Sequence, residues 1–297
     1  MPKPVPGPLD NPRRPTLALP SGATDCHCHV FGPSERFPFV PERGYTPPDA
    51  PLEDYLRLQE ILGLERTVIV QPSIYGSDHR CTEDAIGRLG ASARGVAAVR
   101  PDVQDGELER LHAAGFRGTR LNLVDSGGSV PLAALEAVAA KVAPLGWHVQ
   151  IYARPDVLAA ARPRLQALPT PVVIDHLGQI DPSAGQGQPG FRALLRLLEG
   201  GRAWVKLCAY RCDSDGAPFV RAAPFVRALY AAAPERLVWG TDWPHPNLPE
   251  RAPGIPGRMP DDGDLVDALG VWFDQPEALH RILVVNPALL YGFRDEM

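Results

Sequence analysis

The sequence predicts an α/β protein, a (β/α)8 TIM barrel of eight parallel strands with helices around them. Short β-branched runs alternate with longer segments of helical periodicity, a pattern typical of parallel sheets. Eight such strand candidates occur, which is the number that closes a barrel, and a chain of 297 residues suits one barrel. An open doubly wound sheet is the alternative fold. The sequence does not carry the glycine-rich phosphate loop that usually follows an early strand of that fold.

The predicted strands are short apolar runs that end at glycine, proline or polar residues. They are 23–29, 67–71, 95–99, 118–122, 148–152, 172–176, 204–207 and 237–242. Apolar residues at steps of three and four predict the helices. These are 52–62, 107–114, 132–142, 156–168, 191–198, 218–232 and 276–282. Long connections at 30–51 and 243–264 follow the first and last strands, where barrel enzymes carry their active sites.

The first twenty residues differ in composition from the rest of the chain. Residues 1–20 are rich in proline and basic side chains but lack the apolar segment of a signal peptide. We expect an extended arm that lies over the barrel, followed by a single barrel domain at residues 21–297.

Charge and cysteine content exclude several classes of protein. The net charge of −5 gives no basic stripe for nucleic acid, and no apolar run approaches the length of about 18 residues that a membrane span needs. The five cysteines are an odd number without paired metal-finger spacing, which favours reduced thiols and a cytoplasmic protein. The expected partner is therefore a small molecule, and the sequence predicts no oligomeric state.

The first predicted strand carries a pair of histidines, His27 and His29. Alternate side chains of a strand share a face, so both imidazoles are expected to point into one cavity. Cys26 and Cys28 are expected to point the other way, as small core residues packed against helices. Asp25 shares the face of His27 one layer deeper, where we expect it to orient an imidazole.

Polar residues also stand at or near the ends of later predicted strands. They are Ser73, Arg120, Tyr152, His176, Arg211 and Asp242. A single buried His or Asp at such a position is more often a hydrogen-bonded structural group. Three histidines and one aspartate that converge on one rim indicate chemistry instead.

Five motifs make the sequence resemble the amidohydrolase superfamily, and within it the 2-pyrone-4,6-dicarboxylate lactonases. They are Asp-Cys-His-Cys-His-Val-Phe-Gly-Pro (25–33), Val-Ile-Val-Gln-Pro-Ser (68–73), Ile-Asp-His-Leu-Gly (174–178), Trp-Gly-Thr-Asp-Trp-Pro-His-Pro-Asn (239–247) and Asn-Pro-Ala-Leu-Leu-Tyr (286–291). The resemblance runs from about residue 20 to the C-terminus, and it implies a distorted (β/α)8 barrel.

The resemblance implies a role for each rim residue. Asp242 is implied as the general base that takes a proton from water, and His27, His29 and His176 as groups that surround a carbonyl oxygen and stabilise its oxyanion. Positions that line the substrate in the resembled lactonases are matched by Tyr45, Ser73, Arg120, Tyr152 and Arg211.

Each of these substrate-binding assignments has a structural alternative. Arg120 and Arg211 suit bidentate recognition of carboxylates, which lysine provides poorly. The alternative for Arg120 is a buried ion pair, for which the sequence names no partner. For Tyr45 and Ser73 the alternative is packing of the loops that carry them.

A metal cofactor is the main open question. His27, His29, His176 and Asp242 have the residue types of a mononuclear zinc or manganese site. The resembled lactonase branch implies catalysis without metal, and a fixed guanidinium at Arg120 would repel a divalent ion. We therefore expect no cofactor, with Zn²⁺ or Mn²⁺ as the alternative.

The expected activity is hydrolysis of a carboxylated lactone similar to 2-pyrone-4,6-dicarboxylate. The resembled lactonases carry further cations where this sequence has 124–128 and 178–180, neither of which holds one. Fewer cations imply fewer substrate charges or a differently placed anion. The enzymatic alternatives are a metal-dependent decarboxylase or hydratase and a sugar-lactone isomerase. The non-enzymatic alternative is a metabolite-binding barrel, which has no need of both a base and oxyanion donors.

Overall fold

The computed structural model describes residues 2–124, 130–213, 216–246, 248 and 257–293. Eight strands form one parallel sheet in sequence order, which confirms the predicted (β/α)8 TIM barrel. The strands are β1 (Thr24–Cys28), β2 (Arg66–Val70), β3 (Ala93–Ala97), β4 (Phe116–Asn122), β5 (His148–Tyr152), β6 (Val172–Ile174), β7 (Ala203–Leu207) and β8 (Leu237–Trp239).

Ten helices accompany the strands within the described part of the chain. They are α1 (Leu52–Leu62), α2 (Arg80–Leu89), α3 (Asp105–Ala113), α4 (Leu135–Val142), α5 (Pro155–Gln166), α6 (Pro189–Glu199), α7 (Ala223–Ala232), α8 (Asp262–Trp272), α9 (Pro276–His280) and α10 (Asn286–Tyr291). The helix predicted from residue 218 begins at Ala223, with Pro224 in its first turn, where proline is well tolerated. Among the described residues, no helix has both the length and the apolar character of a membrane span.

The barrel closes at the carboxyl ends of β1 and β8. The backbone N–H of Asp242 donates to the His27 carbonyl at 2.7 Å, and that of His29 donates to the Trp243 carbonyl at 2.7 Å. The residues predicted to form the site therefore also form the seam of the barrel. Any change that separates these two strands would also separate the predicted catalytic groups.

The orientation predicted for Cys26 is wrong. The pairing of β1 with β2 shifts register between Asp25 and Cys28, so three residues of β1 lie opposite two of its neighbour. Such a bulge turns the side chains beyond it to the opposite face. Cys26 consequently packs inside the barrel with Val68 and Val238, whereas Cys28 belongs to the larger core outside that cluster.

Asp25 also differs from its predicted role. Its Oδ1 accepts hydrogen bonds from the backbone N–H groups of His27 and Thr241, and its Oδ2 accepts from the hydroxyls of Tyr55 and Thr241. It therefore joins the backbones of β1 and the segment after β8 and does not orient an imidazole.

The segment before β1 is held at two points. Lys3–Pro4 pairs in parallel with Tyr45–Thr46, which lies in the loop between β1 and α1. Further along, the Arg13 backbone N–H and guanidinium bind carboxylates on and just before α8, among them Asp261 and Asp264. These contacts place the segment across the face of the barrel at which the carboxyl ends of the strands lie.

Gly240 permits the close approach of β8 to β1. A Cβ at this position would lie 2.7 Å from both the Cβ and the N of His27. Because the obstacle includes backbone, Gly240→Ala is expected to lower the free energy of unfolding by about 1–3 kcal/mol. Gly87→Ala is the matched control, since its Cβ would meet nothing within 4 Å. Chemical denaturation of both variants measures the difference, and equal stabilities would contradict the packing argument.

Candidate active site

The structure brings His27, His29, His176 and Asp242 together at the carboxyl ends of β1, β6 and β8. The Asp242 Oδ1 lies 3.3 Å from Nε2 of His29 and 3.5 Å from Nε2 of His27. Nε2 of His176 lies 3.8 Å from Oδ2 of the same carboxylate, and the His27 and His176 rings lie 4.6 Å apart. All four side chains are buried. The predicted quartet therefore forms one compact cluster.

Two of these residues occupy backbone conformations that non-glycine residues rarely adopt. His176 has a φ of 49° and Asp242 a φ of 63°. Such conformations cost on the order of 1–3 kcal/mol each and occur mainly where the surrounding structure enforces them, often at functional sites. At Asp242 the hydrogen bond from its N–H to the His27 carbonyl supplies part of that enforcement.

The Asp242 carboxylate has one anchored and one open oxygen. Its Oδ2 accepts hydrogen bonds from the Tyr210 hydroxyl at 2.5 Å and from Nε of Arg211 at 2.7 Å. Burial by itself would raise the pKa of Asp242, but the Arg211 guanidinium and the neighbouring imidazoles hold that pKa well below its ordinary value. Asp242 is therefore ionised at neutral pH.

The hydrogen bond of His29 fixes which of its nitrogens faces the site. Nδ1 lies 2.7 Å from the Val70 carbonyl, which can only accept, so Nδ1 carries a proton. A neutral His29 ring then presents a lone pair at Nε2, beside Asp242. The expected role as a hydrogen-bond donor at Nε2 would require the doubly protonated imidazolium.

The other two imidazoles are neutral at pH 7. Burial lowers the pKa of His176 to about 4, although the Asp242 charge opposes that shift. Burial, reinforced by the Lys206 charge, lowers the pKa of His27 well below its ordinary value. Each ring therefore offers one donor and one acceptor nitrogen.

Several buried polar atoms of the cluster have no hydrogen-bond partner among the described residues. They include Nε2 of His27, both ring nitrogens of His176 and Oδ1 of Asp242. Buried polar atoms are almost always paired, and an unpaired one costs about 1–3 kcal/mol. A group of such atoms around one space indicates a site whose partners a ligand supplies.

The pKa directions predict an unusual pH profile. The pKa values of Asp242 and His176 are both depressed. Asp242 therefore stays ionised and His176 stays neutral as the pH falls below 6.5. The acid limb of kcat/KM for the expected hydrolysis is expected at about pH 4 or below, in line with the pKa of His176. Steady-state rates from pH 3.5 to 9 measure it. A limb near pH 6.5 would instead show a histidine with its ordinary pKa.

All five predicted substrate-binding residues line one small cleft beside the cluster. The cleft residues are His29, Tyr45, Ser73, Arg120, Asn122, Tyr152, Arg211, Asp242 and Pro246. Asn122, the last residue of β4, is a member that the sequence did not single out. The cleft therefore combines the Asp242 carboxylate, the His29 imidazole and two guanidinium groups.

Arg120 has the ion-pair partner that the sequence left unnamed. Its Nε donates to Oδ2 of Asp175 at 2.9 Å, and its guanidinium carbon lies 5.0 Å from the centre of the Tyr152 ring. The contact with Asp175 uses Nε, so an anion in the cleft would be bound through the terminal amino groups. The ion-pair and substrate-binding interpretations are thus compatible.

Two segments, 124–128 and 178–180, hold no cation where the resembled lactonases carry one. Residues 178–180 are described, whereas 125–128 lie outside the described residues.

Sequence reasoning missed the buried partners of the cluster. Asp175 lies 3.4 Å from Nδ1 of His27, and Lys206 on β7 lies 3.5 Å from the same atom. Tyr210 anchors Asp242, as described above. The signal for Lys206 was a lone charge inside the apolar run 204–207, and the signal for Asp175 was its place directly before His176.

The same cluster contains a possible metal site. One ligand atom each from His27, His29 and Asp242 lies within 4.8 Å of the others, and His176, Cys208 and Asp242 form a second such group. The lone pair of His29 Nε2 and the open oxygen of Asp242 fit a divalent ion as ligands.

Comparisons with known proteins show which family the chain belongs to. The family model described as Amidohydrolase matches residues 24–293. The chain is 41% identical to a 2-pyrone-4,6-dicarboxylate hydrolase of Comamonas testosteroni, over 97% of the chain and 96% of the relative. It is 38% identical to a 4-sulfomuconolactone hydrolase of Rhizobium radiobacter, over 93% and 92%. It is 33% identical to a D-galactarolactone isomerase of Agrobacterium fabrum, over 93% of each. The chain therefore belongs to the amidohydrolase family.

Proposed function

We propose that this protein hydrolyses a carboxylated lactone, similar to 2-pyrone-4,6-dicarboxylate, and that it does so without a metal cofactor. The observation that carries the proposal is the open oxygen of an ionised Asp242 beside the unpartnered Nε2 atoms of His27 and His176. A base and two potential donors around one space suit water attack on a carbonyl. The relatives named above act, by their names, on lactones.

In the proposed reaction Asp242 acts as the general base. Its Oδ1 takes a proton from water while the water oxygen bonds to the lactone carbonyl carbon. Negative charge then develops on the carbonyl oxygen, where Nε2–H groups of His27 and His176 donate hydrogen bonds. As the tetrahedral intermediate collapses, the ring C–O bond breaks and the Asp242 proton passes to the leaving oxygen. The carboxylate is thereby regenerated.

The role proposed for His29 differs from the oxyanion-stabilising role that the resemblance implies. Since its Nδ1–H is bound to the Val70 carbonyl, a neutral His29 ring has an acceptor at Nε2, which lies 3.3 Å from Asp242 Oδ1. Two adjacent acceptors suit the two hydrogens of one water molecule. We therefore assign His29 to orientation of the attacking water, with Asp242 as the atom that receives the proton.

Arg120 and Arg211 are proposed to bind the carboxylate of the substrate. For Arg120, whose Nε donates to Asp175, the expected contact uses the terminal amino groups in bidentate geometry. Tyr45, Ser73 and Tyr152 complete the walls of the cleft.

Arg120→Lys tests the bidentate contact. Lysine keeps the charge but loses the planar fork, so KM is expected to rise about tenfold or more, with a smaller change in kcat. Steady-state kinetics separate the two constants. Arg221→Lys is the matched control, because its ion pair with Asp213 lies outside the cleft. An unchanged KM in Arg120→Lys would remove this residue from substrate binding.

Fixed positive charge supports the proposal that no metal takes part. Nη2 of Arg211 lies 2.7 Å from Asp242, and Lys206 lies 3.5 Å from His27, so two cations border the possible ligands. If a divalent ion is bound, His27, His29, His176 and Asp242 would hold it, and it would supply Lewis acidity at the carbonyl oxygen.

A substrate panel tests the proposed function. The panel contains 2-pyrone-4,6-dicarboxylate, muconolactones and aldonolactones, each followed by product analysis. Ring opening of a carboxylated lactone with release of one proton supports the proposal. Formation of an isomeric lactone would favour the sugar-lactone isomerase, release of CO₂ would favour a decarboxylase, and no conversion of any lactone would overturn lactone hydrolysis.

A further inference from the structure

Lys206 is a fully buried lysine on β7, and its Nζ lies 3.5 Å from Nδ1 of His27 in the cluster. A buried ammonium is costly unless hydrogen bonds and opposite charges compensate it, and apolar residues of similar volume often replace buried ion pairs without loss of stability. The presence of a lysine at this position therefore calls for a reason other than core packing.

The hydrogen bonds of Lys206 account for two of its three N–H groups. Nζ donates to the Cys26 carbonyl at 2.8 Å and to Oε1 of Gln150 at 2.8 Å. The Gln150 amide is oriented by its other end, where Nε2 donates to Asp175. The nearest remaining acceptors for the third N–H are Nδ1 of His27 at 3.5 Å and Oδ1 of Asp175 at 3.8 Å.

Two groups thus compete for Nδ1 of His27. Oδ1 of Asp175, at 3.4 Å, can only accept and favours a proton on Nδ1. The Lys206 ammonium can only donate and favours a lone pair there, which leaves the proton of a neutral ring on Nε2. The first arrangement places an acceptor at Nε2, 3.5 Å from Oδ1 of Asp242, and the second places a donor there.

We propose that Lys206 is a positioning residue that directs the Nε2–H of His27 toward the lactone carbonyl by donating a hydrogen bond to Nδ1. This inference rests on the proposed function. Asp175 is engaged through Oδ2 by Arg120 and Gln150, so it retains hydrogen-bond partners in this arrangement. Lys206 and Arg120 both lie beside Asp175. One buried network therefore joins Arg120, which is proposed to bind the substrate anion, to His27, which is proposed to face the lactone carbonyl.

The first test needs no substrate. The ¹⁵N chemical shifts of histidine-labelled protein distinguish a protonated from an unprotonated ring nitrogen, and His27→Gln identifies the signals of His27. We expect Nε2 of His27 to be protonated and Nδ1 to be unprotonated. A proton on Nδ1 with none on Nε2 would overturn the proposal whether or not the protein hydrolyses lactones.

The second test is Lys206→Met. We expect the proton of His27 to move to Nδ1, kcat for the best lactone of the panel to fall by about 10²-fold as for loss of one oxyanion donor, and KM to change little. Val96→Ala, a cavity variant on β3 inside the barrel, controls for lost stability alone and is expected to leave the tautomer of His27 unchanged. An unchanged tautomer or an unchanged kcat in Lys206→Met would contradict the proposal. If the wild type converts no lactone, the proposed function fails and the ¹⁵N measurements alone decide the role of Lys206.

Discussion

Replacement of Asp242 by asparagine is expected to lower kcat for lactone hydrolysis by about 10³-fold or more, since an amide cannot accept the proton of the attacking water. Asparagine keeps the size of the side chain and tolerates the left-handed backbone at this position, where φ is 63°. The fold is therefore expected to persist. Single-turnover and steady-state rates, with thermal unfolding on the same samples, measure both effects.

Asp213→Asn is the control for Asp242→Asn. Asp213 is also a buried carboxylate held by an arginine, Arg221, but it is not part of the cleft that contains Asp242. Its variant is expected to retain the wild-type kcat. If Asp242→Asn keeps substantial activity, or if both variants lose activity equally, Asp242 is not the base.

The second large effect is expected for His176→Asn. The substitution removes a nitrogen proposed to donate to the oxyanion, and such a loss typically lowers turnover by about 10²–10³-fold. Asparagine again suits the positive φ of 49°, so a folding defect is not the expected cause. Because the contact is proposed to strengthen in the transition state, kcat is expected to fall more than KM rises.

His245→Asn is the matched control for His176→Asn. His245 is equally buried and has a φ of 60°, but its Nε2 is paired with Asp262 at 3.0 Å and not with the cluster. Its variant is expected to lose stability and to keep most of its kcat. A rise in KM without a fall in kcat in His176→Asn would move His176 from transition-state stabilisation to ground-state binding.

The pattern of strands and helices predicted the barrel because each strand is a short apolar run between polar turns. The helix α2 (Arg80–Leu89) escaped notice, although Cys81, Ala85 and Leu89 recur at steps of four, since polar and charged residues outnumber apolar ones in it. The helix α8 (Asp262–Trp272) begins inside the connection predicted for 243–264 and was missed for that reason. Neither error moves a strand end, so the predicted location of the site was unaffected.

The rim residues were predictable because strand ends of a parallel barrel meet on one side. Their partners were not, because contacts between distant residues leave little trace in local sequence. The ion pair of Arg120 with Asp175 and the hydrogen bonds of Lys206 each join different strands across the barrel. The bulge that turned Cys26 inward likewise depends on pairing with a neighbouring strand, which strict alternation along β1 does not reveal.

The choice between a donor and a metal ligand at the cluster depends on proton positions that sequence does not encode. A neutral His29 ring presents a lone pair at Nε2 because its Nδ1 is hydrogen-bonded to the Val70 carbonyl. His27 presents a donor or an acceptor according to whether Lys206 or Asp175 holds its Nδ1. The two cations beside the cluster, Lys206 and Arg211, are the structural reason to favour the metal-free reaction.

Metal content and turnover measured on the same chelator-treated sample test this account most directly. We expect the protein to open a carboxylated lactone at an undiminished rate when bound zinc and manganese are far below one ion per chain, and added Zn²⁺ or Mn²⁺ to give no increase. A rate that vanishes on chelation and returns in proportion to bound metal would contradict the account, because the carbonyl would then be activated by an ion and not by the imidazoles.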